Sequence, residues 1–279
     1  MRPDTPHPPA EPPVIAALRA LVDDQPELAP AADLQIAIAQ ITRRVSARAP
    51  LPLLGPVAER QQALAKGVRV LAFEDLRLDW SAIRLTLREV ARALADAGAL
   101  SPEELAAVDG YVRGETGALE ALVATWFDTQ TGDAQGEITE GLHELLDTAL
   151  RPFLARAASA ALTGLDLAGW NRPSCPACGG EADVAVILRD GRRCLSCHRC
   201  RAQWPWHAWA CPRCTNDARE HVASFASRDG LYRIYACGKC KRYLKAYDSR
   251  QAPRPFLPEV DLIATLPLDA AALQKGFTA

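Results

Sequence analysis

All nine cysteines of this 279-residue chain fall between Cys175 and Cys240, and the 174 residues before them hold none. Eight of the nine form four C-x-x-C pairs: Cys175/Cys178, Cys197/Cys200, Cys211/Cys214 and Cys237/Cys240, with Cys194 left over. A two-residue gap lets a tight turn aim both sulfurs at one ion, while amides within the turn donate to sulfur and offset its charge. Two such turns complete a tetrahedral thiolate site, so the spacing predicts two metal sites in a module of their own. A disulfide framework is the competing reading. An odd count, four short-gap pairs and no recognisable secretory signal argue against it, because reduced thiols so arranged bind metal or do redox work.

The segments between the turns say which pairs belong together. Val184, Val186 and Leu188 alternate before Asp190-Gly191, and the chain then runs back toward Cys197. An Asp-Gly hairpin there brings the first two pairs to one place. The design recurs loosely: Val222, Ser224 and Phe225 lead to Asp229-Gly230, and Leu231 to Tyr235 lead to Cys237. The expected ligands are therefore Cys175, Cys178, Cys197 and Cys200 for one site and Cys211, Cys214, Cys237 and Cys240 for the other, with interleaved pairing as the alternative. Cys194 sits three residues before Cys197 and is able to compete, but its plain reading is a buried or free thiol. His198, His207 and His221 lie near the turns, and with eight cysteines already paired none is expected to be a ligand. Thiolate tetrahedra accept zinc or iron, and affinity order alone does not decide between them. The C-P-A-C-G-G turn at 175–180 is of the kind used by rubredoxin-like iron knuckles. Trp204, Trp206 and Trp209 lie between the two expected sites and read as the module's hydrophobic seam, with an exposed binding anchor as the second reading.

Upstream, six prolines in the first thirteen residues predict a flexible Pro-rich tail over 1–13. Residues 14–168 show helical apolar spacing broken by Pro and Gly, as in Leu34, Ile38, Ile41 and Val45, and predict five to seven helices. Ser101-Pro102-Glu103-Glu104 is a helix start, with Ser101 as cap, Pro102 at the first position and Glu104 closing a capping box. Leu119, Leu122, Val123, Trp126 and Phe127 share one helical face, and Leu142, Leu145, Leu146, Leu150 and Leu154 another; both stripes read as core. The texture changes near Trp170-Asn171-Arg172-Pro173 to short alternating segments and turns. The expected organisation is a helical domain over 14–168, a tandem four-cysteine module over 169–250 and a C-terminal segment, 251–279, packed back on the body. The fold class is α+β: an all-α domain followed by two rubredoxin-like or zinc-ribbon-like modules with short β-hairpins.

Composition narrows the functions. At 49% hydrophobic and 24% charged residues the chain has the balance of a soluble globular protein, and no apolar run of signal or membrane-spanning length follows the N-terminal prolines. A cytoplasmic location without membrane insertion is expected. Residues 171–250 carry 15 Lys plus Arg against seven Asp plus Glu, while the whole chain sums to −2. Eight thiolates around two divalent ions would lower that local formal +8 to about +4, and ferric ions to about +6.

Read together, C-P-A-C-G-G at 175, C-H-R-C-x-x-x-W at 197, C-P-R-C at 211 and C-G-K-C-K-R-Y-L-K at 237 resemble the formate dehydrogenase accessory protein family, often called FdhE. Val260-Asp261-Leu262-Ile263-Ala264-Thr265-Leu266, then Leu268-Asp269 and Gly276-Phe277, are similar to that family's closing segment. The likeness is strongest over 172–277; over 14–168 it is one of helical character. It implies a helical domain joined to two rubredoxin-like four-cysteine sites holding iron, and binding to the catalytic subunit of respiratory formate dehydrogenase, which carries a molybdenum or tungsten cofactor and an iron–sulfur cluster. The eight paired cysteines match the family's ligands. Cys194 and the lack of glycine after Cys200, Cys214 and Cys240 depart from the pattern.

The expected function is thus a non-catalytic assembly factor for that subunit, with two metal ions, iron or zinc, as cofactors; a homodimer is compatible with the sequence. Tandem four-cysteine ribbons with nearby Arg and Trp also suit a nucleic-acid binder. Nucleic acid is not the expected partner, because the pI is about 6.2 and no Lys/Arg run tracks the tryptophans. A redox-sensing rubredoxin-like protein is the third reading. No nucleotide-binding glycine motif and no Ser/His/Asp or paired-carboxylate site accompanies the cysteines, so catalysis is not expected.

Overall fold

The computed structural model of the protein describes residues 11–129 and 138–279. The Pro-rich tail falls outside these up to residue 10, and Pro13 already occupies the first position of a helix.

Seven α-helices precede the cysteines among the described residues: α1 (Pro13–Asp24), α2 (Ala29–Ser46), α3 (Val57–Ala65), α4 (Trp80–Asp96), α5 (Pro102–Arg113), α6 (Thr116–Asp128) and α7 (Glu140–Leu162). Local chemistry sets their starts. Ser101 and Glu104 make the reciprocal capping box that the sequence predicts, Glu104 N–H donating to Ser101 Oγ at 3.2 Å and Ser101 N–H to Glu104 Oε2 at 2.9 Å. The Asp79 carboxylate accepts from the amides of Ser81 and Ala82 at the start of α4, and Thr139 Oγ1 accepts from Leu142 N–H at the start of α7. Thr139 also donates to Glu104 Oε1 at 2.7 Å, which ties the start of α7 to the start of α5.

Beyond the helices the chain folds into one six-stranded sheet, with β1 (Ala182–Ile187), β2 (Arg193–Cys197), β3 (Gln203–Trp206), β4 (Val222–Ala226), β5 (Tyr232–Cys237) and β6 (Tyr243–Asp248) in the spatial order β3-β2-β1-β6-β5-β4. Two antiparallel three-strand meanders thus lie side by side. Their seam is the one parallel pair of the sheet, β1 with β6, in register from Val184↔Lys245 to Ile187↔Asp248. The internal repeat is real and longer than the hairpins that the sequence predicts, since each acquires a third strand after its second C-x-x-C. Gly191 and Gly230 turn the hairpins at positive φ, 84° and 73°.

The two parts of the chain share a core. Leu119, Val123, Trp126, Phe127, Leu145, Leu146 and Leu150 cluster with Cys175, Cys178, Cys197, Cys200, Leu195, Trp204 and Leu244. Fully burying one such large apolar side chain contributes about 2 kcal/mol, so separating sheet from helices would uncover a costly surface. Trp204 is wholly buried and donates its indole N–H to Arg172 O at 3.1 Å. It is part of the seam that the sequence suggests.

The C-terminal segment forms α8 (Pro258–Ala264) and α9 (Leu266–Gln274). Val260 packs with Leu18 of α1 and Ala32 of α2, while Ala272 packs with Ile234, Ala236 and Tyr243 of the sheet. Asp261, 2% exposed, accepts from Tyr232 Oη at 2.7 Å, from both terminal nitrogens of Arg254 at 2.7 and 3.0 Å, and from Leu257 N–H at 2.7 Å. Asp269 accepts from Tyr243 Oη and Lys245 Nζ, both at 2.7 Å. Removing the Asp261 carboxylate strands a tyrosine hydroxyl and a half-covered guanidinium, so Asp261→Ala should lower unfolding stability by about 3 kcal/mol in urea titration, with Asp269→Ala costing less, because Asp269 is itself more exposed and accepts fewer hydrogen bonds.

Candidate metal centres

Each C-x-x-C turn carries the same backbone geometry. The amide four residues after the first cysteine donates back to that cysteine's carbonyl: Gly179 to Cys175 at 3.0 Å, Arg201 to Cys197 at 3.1 Å, Thr215 to Cys211 at 2.9 Å and Lys241 to Cys237 at 2.9 Å. The first cysteine's own amide donates to the next residue on, Gly180, Ala202, Asn216 and Arg242, at 2.8 to 2.9 Å. Closing that loop puts the residue after the second cysteine at positive φ: 82° at Gly179, 59° at Arg201, 55° at Thr215 and 58° at Lys241. Arg201, Thr215 and Lys241 are the non-glycine residues found there among the described residues. The glycines that the sequence lacks after Cys200, Cys214 and Cys240 are therefore not needed for the turn, which forms at a cost of about 1 to 2 kcal/mol per residue.

The turns meet in sequential pairs. Cys175, Cys178, Cys197 and Cys200 bring four sulfurs within 4.8 Å of one another, and so do Cys211, Cys214, Cys237 and Cys240. Interleaved pairing is not what forms. In the first group the Cys175–Cys200, Cys178–Cys197 and Cys178–Cys200 sulfurs are 3.5 Å apart; in the second, Cys211–Cys240 and Cys214–Cys237 are 3.7 Å apart. A tetrahedron with metal–sulfur bonds of about 2.3 Å has edges of about 3.8 Å, so each group has the size and donor chemistry to hold one metal ion. None of the nine cysteines is joined to another in a disulfide. Burial pushes the Cys175 thiol well above the ordinary thiol range, while hydrogen bonds from the neighbouring sulfurs, Cys175 foremost, hold Cys178 well below it. Complete ionisation of four such sulfurs needs a cation among them.

The two groups differ in their surroundings. All four sulfur-bearing residues of the first are buried, and both its turns are held by the helical part. Val70 and Leu71 donate their amides to Pro176 O and Ala177 O, and Arg69 reaches Cys178 O at 3.1 Å. On the other turn, His198 and Arg199, the two residues between the cysteines, insert toward α7. His198 Nε2, His143 Nδ1 and Arg199 Nε lie 3.3, 3.2 and 3.4 Å from the buried Asp147 carboxylate. Arg199, 1% exposed, also donates to Phe127 O and Thr129 O and lies 4.7 Å over the Trp126 ring. Burial opposes the Asp147 charge, but the hydrogen bonds from His143 and His198 and the charge of Arg199 outweigh it and hold the carboxyl well below the usual range. Burial likewise opposes charge on His198, and Asp147 outweighs it, raising the imidazole above its ordinary value. His198 is thus committed to Asp147 and to Glu181 O at 2.9 Å. His207 and His221 are exposed.

The second group has two buried and two half-buried cysteines, Cys214 and Cys240. Its neighbours come from the sheet and the C-terminal strand of chain, with Thr278 N–H donating to Lys241 O and Tyr243 N–H to Thr278 O. Trp209 stands edge-on to Tyr235 and under Arg219, and Trp206 donates to Ala210 O, so neither is a free anchor. Cys194 is half-buried in β2, opposite Val186 and Pro205, and joins neither group.

Sequence reading missed the Asp147 network. The signals were present: a lone aspartate inside the leucine stripe of α7, and a histidine and an arginine filling one C-x-x-C.

No family model matches the chain. A protein named FdhE homolog from Shewanella oneidensis is 33% identical over 108 residues, which is 38% of this chain and 35% of that protein. One from Shewanella baltica is 32% identical over a stretch of the same length. The match therefore spans about a third of the length of these curated relatives. The crystal structure of the FdhE protein from Pseudomonas aeruginosa matches the fold with a TM-score of 0.65 at 22% identity, covering 95% of this chain and 90% of that one.

The strained turns yield a direct check. Thr215→Gly should relieve the left-handed strain of a β-branched residue and, after the added freedom of the unfolded chain, stabilise by about 0.5 to 1 kcal/mol. Thr215→Ala removes the same hydroxyl but keeps the strain, and should give no gain in a thermal melt at fixed metal content.

Proposed function

We infer from the FdhE family, which both likenesses support, that this chain is a non-catalytic accessory factor that binds the catalytic subunit of a formate dehydrogenase in the cytoplasm and supports its maturation. Cys175, Cys178, Cys197 and Cys200 hold one metal ion in this reading, and Cys211, Cys214, Cys237 and Cys240 a second, iron in rubredoxin-like coordination or zinc. The observation that carries it is the pair of four-sulfur groups set in one sheet on a fold shared with an FdhE protein. Among the described residues no helix is long and apolar enough to cross a membrane.

The side chains also speak against a nucleic-acid surface. Much of the module's formal positive charge is spent internally. Arg199 is buried on Asp147, Arg201 pairs with Asp183 at 2.6 Å, Arg213 with Glu181, Arg233 and Arg250 with Asp248, and Lys245 with Asp269. Arg193, 4% exposed, lies 4.6 Å over the Tyr235 ring. Guanidinium groups engaged in this way are not available to neutralise a phosphate backbone.

Anaerobic affinity capture on this chain from cells making formate dehydrogenase should recover that enzyme's catalytic subunit, with elemental analysis of the captured protein giving about two ions per chain. Clean capture without the subunit would refute the accessory role. The unequal burial of the groups predicts unequal release: a chelator should remove one ion at least about tenfold faster than the other, because the half-buried group opens locally while the buried one opens with the core. Cys214→Ser should abolish the fast phase and leave a folded protein, whereas Cys178→Ser should cost the fold itself. Equal rates, or a fast phase that survives Cys214→Ser, would contradict the assignment.

A further inference from the structure

Arg193, the first residue of β2, is a buried cation without an acid. It is 4% exposed; its Nη1 donates to Ala208 O at 2.9 Å and reaches Ala210 O at 3.5 Å, while Nε and Nη2 have no hydrogen-bond partner. No carboxylate pairs with it among the described residues. Burial pulls the guanidinium down to about 10, which still leaves it charged near neutral pH, and the groups whose charge acts the other way are the Tyr235 hydroxyl and the Cys211 thiol. A buried charge left unmatched is costly, so this one calls for an anion.

Arg193, Arg213 and Arg242 line one cavity of about 10 Å³ together with Cys211 and Cys237, the two buried cysteines of the second group. That is room for about one water, which accepts hydrogen bonds but brings no charge, and too little for a carboxylate or an oxyanion. Arg213 is matched by Glu181, whereas Arg242 is in no ion pair among the described residues and its buried Nε has no partner. The anion that borders the cavity is the sulfur group itself: four thiolates carry a formal −2 around a divalent ion and −1 around a trivalent one. The first group is surrounded differently. Arg69 comes with Asp128, Arg199 with Asp147 and Arg201 with Asp183, and Arg151 lies in the field of Glu144, Asp183 and Asp147. Those charges are already matched.

We propose that Arg193, with Arg242 on the same cavity, is the built-in counter-charge of the second sulfur group, so that this group, unlike the first, favours the more negative of its two charge states. The guanidinium acts from the enclosed side, where attraction is least screened by water and salt. It is also held in place, by the Ala208 and Ala210 carbonyls and by its position 4.6 Å over the Tyr235 ring. The charge is therefore already oriented when the sulfurs take an ion, and no solvent has to reorganise to supply it. This inference rests on the second group holding a metal ion, as proposed above, and is independent of the client.

Mediated redox titration of the full chain reconstituted with iron reads this directly, the couple that Cys214→Ser abolishes being that of the second group. Arg193→Met should shift that couple toward the ferric state by at least about tenfold, or about 59 mV for one electron, and leave the first couple in place. Arg193→Lys keeps the charge but loses the planar fork, and should return most of the shift. Arg242→Gln, at a half-buried position, should move the second couple the same way by less, and carries the test if Arg193→Met does not fold. An unmoved second couple, equal shifts for Met and Lys at position 193, or equal shifts in both couples would overturn the proposal. Iron analysis separates it from the site it rests on: about one ion per chain would remove the second site and this proposal together, whereas about two ions with an unmoved couple would remove the counter-charge alone.

Discussion

Four sulfurs converging inside an apolar core are the constraint around which this molecule is arranged. Cys175, Cys178, Cys197 and Cys200 are buried in the same cluster as Trp126, Phe127, Leu146 and Trp204. Thiols there resist ionisation and thiolates repel one another, so the group calls for a cation at its centre. The turns that carry the sulfurs also carry the contacts joining sheet to helices: Pro176 O and Ala177 O receive amides from the strand of chain before α4, and His198 and Arg199 reach the Asp147 carboxylate on α7. Geometry at the sulfurs and geometry between the two parts of the chain are therefore one problem, with one solution.

The second group shows what the same turn does without that role. Its backbone bonds repeat those of the first to within about 0.2 Å. Cys214 and Cys240 nevertheless remain half-buried, and the surrounding packing is supplied by β5, β6 and the last residues of the chain. One repeat has been absorbed into a core and the other left at a surface, though both are written with the same C-x-x-C, strand, Asp-Gly, strand, C-x-x-C pattern.

This contrast marks how far the sequence could be read. Four short-gap cysteine pairs and two Asp-Gly turns are local signals, and they led to the sequential grouping of sulfurs, the two hairpins and the α+β class. The capping box at Ser101 and Glu104 is local too, and it forms as its residues require. What was not legible is whatever depends on distant pairing. The third strand of each meander, β3 and β6, is ordered by neighbours in the sheet, and the parallel β1–β6 seam joins residues about sixty apart. The missing glycines after Cys200, Cys214 and Cys240 read as a departure from the knuckle pattern, since propensity prices a left-handed residue in isolation. The closed hydrogen-bonded loop and the sulfur group outweigh that price.

Charge was misleading for a related reason. A formal +8 over residues 171–250 invites a basic face; it already counts Asp183 and Asp248, which pair with Arg201 and Arg233 inside the sheet, and Asp147 from α7 and Asp269 from α9 bring further carboxylates from outside the module. Each pair is partly or wholly withdrawn from water, where an unpaired guanidinium would be costly, so the arginines and their partners must assemble together as the sheet docks. Two carboxylates from outside the module, Asp147 and Asp269, thus meet cations of the module. Those contacts lie where the sheet packs on the helices, whereas the second sulfur group, with Cys214 and Cys240 half-buried, stays nearer to solvent.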